Sequence, residues 1–267
     1  MTDSKVVVVT GGTFGIGRQI STGLAERGHR VVAFGIDAPQ NSSTAEGSVS
    51  SFRKEIAKLG LDVDVLEADV TDSSAVARVV EHARSRHGRI DALVNNAAIG
   101  PLGTVLDTDE ELFDKILAVN LKGPYLCSRA VLPHLVEAGG GSIVNIGSGA
   151  GWGKPNMAAY SASKGGVFAL SAATAYDFFH DKVRVNTVVP GGGAIISGMT
   201  LGRVGGEVSK VDRGAPGSAA GRPVQGTDIA HTVAFLISDE AEAISGTVID
   251  VGCFAHQGGP VKRKETK

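Results

Sequence analysis

The sequence predicts an α/β protein with a doubly wound parallel sheet of about seven strands, and two patterns carry that expectation. Short apolar, β-branched runs recur at 5–10, 30–35, 62–67, 92–95, 142–146, 183–188 and 247–251. They read as parallel strands buried on both faces. Between them lie segments of helical period, among them 16–27, 73–87, 112–137, 157–180 and 228–236, each long enough to cross over a sheet. Regular alternation of the two is the signature of a sheet covered by helices on both sides.

Composition supports one domain. The chain has 267 residues, 42% of them apolar and 20% charged, with 37 glycines for tight turns. An α/β fold with one wide sheet reaches this length as a single unit. Neither a repeat nor a linker divides 1–261, and 262–267 reads as a frayed, charged tail. The polar stretch 37–51 reads as a surface connection after the second strand, and the Gly/Ala/Ser-rich stretch 191–226 as a mobile substrate lid.

The bulk numbers also exclude several classes. A net charge of −2 gives no broad positive field, so nucleic acid is not an expected partner. Cys127 and Cys253 show no ligand or disulfide spacing, so neither a disulfide framework nor a metal site is expected. No apolar run approaches the roughly 18 residues of a membrane span, and no signal-peptide core follows Met1. A cytoplasmic protein without membrane contact is the expectation.

The first strand runs into Thr10-Gly11-Gly12-Thr13-Phe14-Gly15-Ile16-Gly17, and a helix follows. A strand, a glycine turn and a helix N-terminus together make a site for a pyrophosphate, because backbone N–H groups and the positive helix end attract anions. A Cβ at Gly11, Gly15 or Gly17 would obstruct the turn, the phosphates or the packing of helix on strand. A tight turn without a ligand is the plainer alternative, but the position at the first strand–helix junction favours a dinucleotide.

The spacing G-x-x-x-G-x-G, read as TGGTFGIG, resembles the TGxxxGIG signature of the short-chain dehydrogenase/reductase family. The resemblance extends to Asp69-Val70 after the third strand, which implies a contact to adenine, and to Asn95-Asn96-Ala97-Ala98 after the fourth. There Ala98 stands where the family's NNAG has glycine, which adds one methyl group near the implied ribose path. After the sixth strand, Asn186-Thr187-Val188-Val189-Pro190-Gly191 resembles the family's N-x-x-x-P-G, and the backbone at Pro190 and Gly191 is implied to meet the nicotinamide amide. The hydroxyl expected downstream is displaced, with Ser197 its nearest counterpart. A Rossmann-like fold and a nicotinamide cofactor are what the resemblance implies.

The choice between NAD and NADP turns on charge after the second strand. Gly35 occupies the usual position of a ribose-binding Asp, Asp37 follows two residues later, and no Lys or Arg lies between Val31 and Phe52. A 2′-phosphate beside Asp37 would meet a like charge, a repulsion of roughly 1–4 kcal/mol. NAD is therefore expected, with NADP as the alternative.

Tyr160 and Lys164 are four residues apart and so share one helix face. A free phenol has a pKa near 10, and a neighbouring ammonium favours the phenolate, so Lys164 would activate Tyr160 as a base. Ser148, twelve positions before Tyr160 at the end of the fifth strand, would orient the substrate oxygen. Asn120 matches the upstream asparagine of the family, for which the resemblance implies a water-holding role in a proton path towards Lys164. Taken singly each of these residues has an ordinary structural explanation; their joint order favours the catalytic one. An oxidoreductase acting on a small secondary alcohol, polyol or sugar, or the matching ketone, is expected.

Two other classes stay open. A regulatory protein that binds NAD without turnover would keep the glycine turn but has little reason to keep the Asn-Ser-Tyr-Lys set. A nicotinamide-retaining epimerase or dehydratase usually has a longer C-terminal region and another glycine spacing. In the lid, Arg203, Lys210, Arg213 and Arg222 outnumber Glu207 and Asp212. They read as solvated surface charge, with an anionic or sugar-like substrate as the alternative. Trp152 reads equally as a pocket wall or as a space filler. The long helices at 112–137 and 157–180 resemble those through which the family forms homodimers and homotetramers.

Overall fold

Val6–Thr10 forms the first strand, β1, and all five residues are buried. Val7 and Val9 pack into one hydrophobic cluster and Val8 into another on the opposite side of the sheet. An uninterrupted valine run suits that place, since both faces are dry. The computed structural model describes residues 4–37, 49–191, 199–200, 203, 207–210 and 218–252.

The remaining strands are β2 Arg30–Gly35, β3 Val63–Glu67, β4 Ala92–Asn95, β5 Gly141–Ile146, β6 Val183–Pro190 and β7 Val248–Val251. They form one seven-stranded sheet in the order β3-β2-β1-β4-β5-β6-β7, with every pairing parallel. The order reverses direction between β1 and β4, and such a switch point opens a crevice at the carboxyl ends of the strands.

Helices α1 Gly15–Ala25 and α2 Val49–Leu59 cover one face together with Gly226–Ile237. Ile20, Leu24, Phe52, Ile56, Ile229 and Val233 fill the interface with the sheet. Gly23 of α1 sets the closeness of approach, because a Cβ there would stand 3.1 Å from the Ala230 methyl. On the other face, α3 Ser73–His87 packs Val76 and Val79 beside Val131 and Leu135 of a later helix. Each such fully buried aliphatic side chain contributes about 1.5–3 kcal/mol relative to exposure.

Two features differ from the sequence expectation. First, α2 begins at Val49, inside the polar stretch read as a loop, because the Asp37 carboxylate accepts a hydrogen bond from the Val49 N–H at 2.6 Å and caps the helix. Second, the segment 112–137 is not one helix. It divides into α4 Glu110–Leu117, a π-turn Ala118–Lys122, and α5 Gly123–Glu137. The Gly123 N–H bonds back five residues to the Ala118 carbonyl. Pro124 has no N–H to offer the Asn120 carbonyl, so the regular ladder is interrupted there. The last long helix before β6 is α6, Ala158–Asp177, and Gly226–Ile237 is α7. Among the described residues no helix is long and apolar enough to cross a membrane.

Candidate active site

The glycine turn lies over the carboxyl end of β1. Gly11 and Gly15 have φ of +58° and +54°, a region that favours glycine. Gly17 is fixed by contact: a Cβ there would collide with the Gly11 carbonyl oxygen and the Asn96 amide nitrogen. Phe14 is the N-cap of α1 and makes no side-chain cap, and the first turn holds no acidic residue. The N–H groups at this helix end are thus left facing outwards with a positive dipole behind them, and a dinucleotide pyrophosphate fits that cradle. Ile16 turns the other way and packs on the core.

The end of β4 braces this turn. The Thr10 hydroxyl accepts hydrogen bonds from the N–H groups of Asn96 and Ala97, both at 3.0 Å. The Asn96 amide donates to the carbonyls of Thr10 and Gly11 at 3.2 and 3.0 Å. Its side chain therefore points into the protein and shapes the turn, while Ala97, which packs against the core, and Ala98 stay half-buried. Thr13 is buried, and Gly35 makes room for it, since a Cβ at Gly35 would lie 2.7 Å from the Thr13 hydroxyl. That contact explains why β2 ends without a carboxylate. Asp37 is exposed, with one oxygen engaged by α2.

Asp69 is exposed and accepts from the Thr71 N–H at 2.8 Å, an Asx turn that leads the chain from β3 towards α3. Val70 is buried and touches the start of α5, where a Cβ on Gly123 would stand 2.9 Å from it. Pro190 pairs with Val251 at the end of β6, and the Gly191 N–H donates to the Val251 carbonyl at 3.0 Å. Ser197, Asp212, Arg213, Cys253 and the tail 262–267 lie outside the described residues, as does much of 191–226.

The chemistry-bearing side chains gather at the ends of β5 and β4. Ser148 stands just past β5 and caps the short turn Gly149–Trp152, accepting from the Ala150 N–H at 3.2 Å. Its hydroxyl faces the phenol of Tyr160 in the first turn of α6 and favours the phenolate. Lys164, one turn further, is buried and donates to the Ile146 carbonyl at 2.7 Å. Its ammonium lies 5.9 Å from the centre of the Tyr160 ring.

Asn120 is fully buried in the π-turn. Its carboxamide clasps Ile99, accepting from the N–H and donating to the carbonyl, both at 2.8 Å. It also donates to the Ser163 hydroxyl at 3.1 Å, which in turn donates to the Tyr160 carbonyl at 2.7 Å. Asn120 thereby ties the loop after β4 to the helix that carries Tyr160 and Lys164.

Beneath the site a buried polar chain crosses three strands. The Asn95 amide donates to Asn145 at 2.8 Å, Asn145 to Ser171 at 2.7 Å, and Thr187 to Ser171 at 2.9 Å. These bonds, which leave only the Asn95 Oδ1 among the linked amides without a partner, hold β4, β5, β6 and α6 in fixed register.

Burial dominates the electrostatics. It pushes the Lys164 ammonium down to about 8 and raises Tyr160 above the ordinary phenol value, the latter opposed by the Ser148 hydroxyl and by the charge of Arg203. Arg203 corrects the sequence reading, which placed it among solvated charges. Its guanidinium carbon lies 5.7 Å from the Tyr160 ring centre, its Nε donates to the Gly100 carbonyl at 2.9 Å, and burial lowers its pKa. No local signal reveals such a contact, because Arg203 meets residues 43 and 103 positions away. Trp152 is partly exposed and its ring packs 4.9 Å from that of Phe168.

Comparison with known proteins agrees with this geometry. The family model described as short chain dehydrogenase matches residues 5–200. A 2-(S)-hydroxypropyl-CoM dehydrogenase of Xanthobacter autotrophicus is 35% identical, with 96% of each chain covered. A 3-oxoacyl-[acyl-carrier-protein] reductase of Staphylococcus aureus is 33% identical over 93% of this chain and 96% of its own. The solved structure of an aldohexose dehydrogenase from Thermoplasma acidophilum superimposes with a TM-score of 0.79 at 28% identity, covering 98% of both chains. The class is that of oxidoreductases built on a single Rossmann-like domain and served by NAD(H) or NADP(H). This chain belongs to the short-chain dehydrogenase family.

Proposed function

We propose that this protein is an NAD-preferring dehydrogenase and ketone reductase acting on a small secondary alcohol, polyol or sugar and the matching ketone. One observation carries the reading: a buried Tyr160 with Ser148 beside its hydroxyl and Lys164 behind it, at the crevice that the bare helix end of α1 also faces. In oxidation the Tyr160 phenolate takes the alcohol proton, while the Ser148 hydroxyl donates to the substrate oxygen and fixes its direction. Reduction returns the proton from Tyr160 to the developing alkoxide. Lys164 keeps a positive charge beside the phenol, and Asn120 holds α6 against the Ile99 loop. A bound nicotinamide supplies the carbon that exchanges hydride with the substrate.

Gly11, Thr13, Phe14, Gly15, Ile16 and Gly17 form the proposed pyrophosphate turn. Asp69, Val70, Asn96, Ala97 and Ala98 shape the adenosine side, and Tyr160, Lys164, Pro190 and Gly191 the nicotinamide side. Preference for NAD rests on Asp37, the first carboxylate that follows β2 along the chain. The proposed unit spans 1–261, with 191–226 as lid and 262–267 as tail. It works in the cytoplasm as a homotetramer or homodimer, and the exposed Tyr125 of α5 and Tyr176 of α6 support pairing through these helices. Similarity to a 3-oxoacyl-[acyl-carrier-protein] reductase adds acyl ketones to the substrates to be screened.

The test is a fluorescence titration with NADH and NADPH, followed by a screen of sugars, polyols, hydroxysteroids and secondary alcohols for formation of reduced nucleotide. Tighter NADH binding and turnover with NAD are expected. Tight NADH binding with no turnover on any substrate, and no change in the Tyr160→Phe variant, would establish the regulatory reading instead.

A further inference from the structure

We propose that Arg203 selects substrates that carry an anionic group, a carboxylate, sulfonate or phosphate, a few bonds from the reacting carbon. The inference rests on the oxidoreductase reading of the site and names the chemical class it takes.

The guanidinium is held in place without being neutralised. Its Nε is tied to the Gly100 carbonyl at 2.9 Å, and its plane is carried to 5.7 Å from the Tyr160 ring centre. The far nitrogen, Nη2, is buried and has no hydrogen-bond partner. Among the described residues no carboxylate pairs with Arg203, and its charge acts on Tyr160. Gly100 maintains the space, because a Cβ there would stand 2.8 Å from Nη2 and 2.5 Å from the Met199 sulfur.

A buried guanidinium N–H left unpaired is costly, and protein interiors satisfy such donors. The charge here sits beside the phenol that would meet the reacting oxygen, so the natural acceptor is a group on the substrate. An oxyanion there gains a charge-assisted hydrogen bond in surroundings drier than bulk water, whereas a neutral analogue leaves the donor as orphaned as before. Selectivity then comes from the difference, not from overall stickiness.

The test compares acetoacetate with methyl acetoacetate, which share a carbon skeleton and differ in charge. Binding to the protein saturated with NADH or NADPH is measured by nucleotide fluorescence, and reduction by kcat/KM. The wild type is expected to favour the acid by about 10- to 100-fold, the range for a hydrogen bond to a charged group. Arg203→Met should collapse that ratio towards unity and Arg203→Lys should restore part of it, with nucleotide affinity and the melting temperature reported for each. An acid-to-ester ratio near one in the wild type overturns the proposal. So does a ratio that Arg203→Met leaves unchanged while both substrates weaken together, since that result assigns Arg203 to Tyr160 alone. If nothing is reduced but the nucleotide complex still binds the acid selectively through Arg203, the oxidoreductase reading fails and the anion preference stands.

Discussion

The glycine turn after β1 and the Ser148–Tyr160–Lys164 cluster after β5 lie along one edge of the same sheet, yet they are made of different materials. The first is backbone: two glycines with positive φ, a helix end without a cap, and side chains that turn inward to brace it. The second is side chain: a phenol, a hydroxyl and an ammonium, the phenol and the ammonium buried under 10% exposure. A backbone site is damaged by adding atoms and a side-chain site by removing them. Substitutions at the two ends should therefore fail in different observables, affinity for nucleotide at one and proton transfer at the other.

The widest separation is expected from Tyr160→Phe, which removes the proton carrier and nothing else. Turnover should fall by about 10²- to 10⁴-fold, while NADH affinity measured by fluorescence stays within a few-fold of the wild type. A parallel loss of affinity would dissolve the contrast. Next in size is the buried ammonium. Lys164 titrates at about 8 in the folded chain against 10.5 for a free side chain. Between these values the unfolded chain holds the proton and the folded one does not, so stability rises with pH across that window. The gain should approach about 3 kcal/mol relative to Lys164→Met, whose stability lacks this slope. Urea unfolding of both proteins over that pH range measures it, and parallel curves would show that the ammonium is better solvated than its burial implies.

On the backbone side, Gly17→Ala places a methyl against the Gly11 carbonyl and the Asn96 amide. It should cost about 1–3 kcal/mol in stability and abolish nucleotide binding, checked by thermal melting and by titration. Retained affinity would mean that the turn can shift, contrary to a site defined by its backbone. The smallest effect belongs to Ser21→Ala, which removes a 2.9 Å hydrogen bond to the Gly12 carbonyl beneath the turn. A loss of about 1 kcal/mol with unchanged affinity would separate support of the turn from its contact surface.

The sheet was legible because a strand with two dry faces leaves an uninterrupted mark: 30–35 and 92–95 needed no adjustment, and the other strands moved by one or two residues. The Ser, Tyr and Lys positions were legible because strand end and helix spacing decide where they stand. What escaped depended on single distant partners. The cap that starts α2 at Val49 comes from Asp37, across a polar stretch with no periodicity of its own. The inward turn of Asn96 is set by Thr10 and Gly11, 86 and 85 residues earlier. Arg203 looked like one charge among several in an irregular segment, and only the folded chain brings it over Tyr160.

The π-turn at Ala118–Lys122 gives this stretch an intolerance of a different kind. It holds one residue more per turn than the helices on either side, and each residue of an α-helix rotates the next by about 100°. Deleting a residue there would remove the wide turn that accommodates Pro124 and force its ring against the carbonyl four residues before it. The register of everything downstream would then turn by the same angle, carrying Cys127, Val131 and Leu135 off the core and Asn120 away from Ile99. Chain length, more than residue identity, is what the segment must conserve: drift at exposed positions is tolerable, but an insertion or deletion has no small effect.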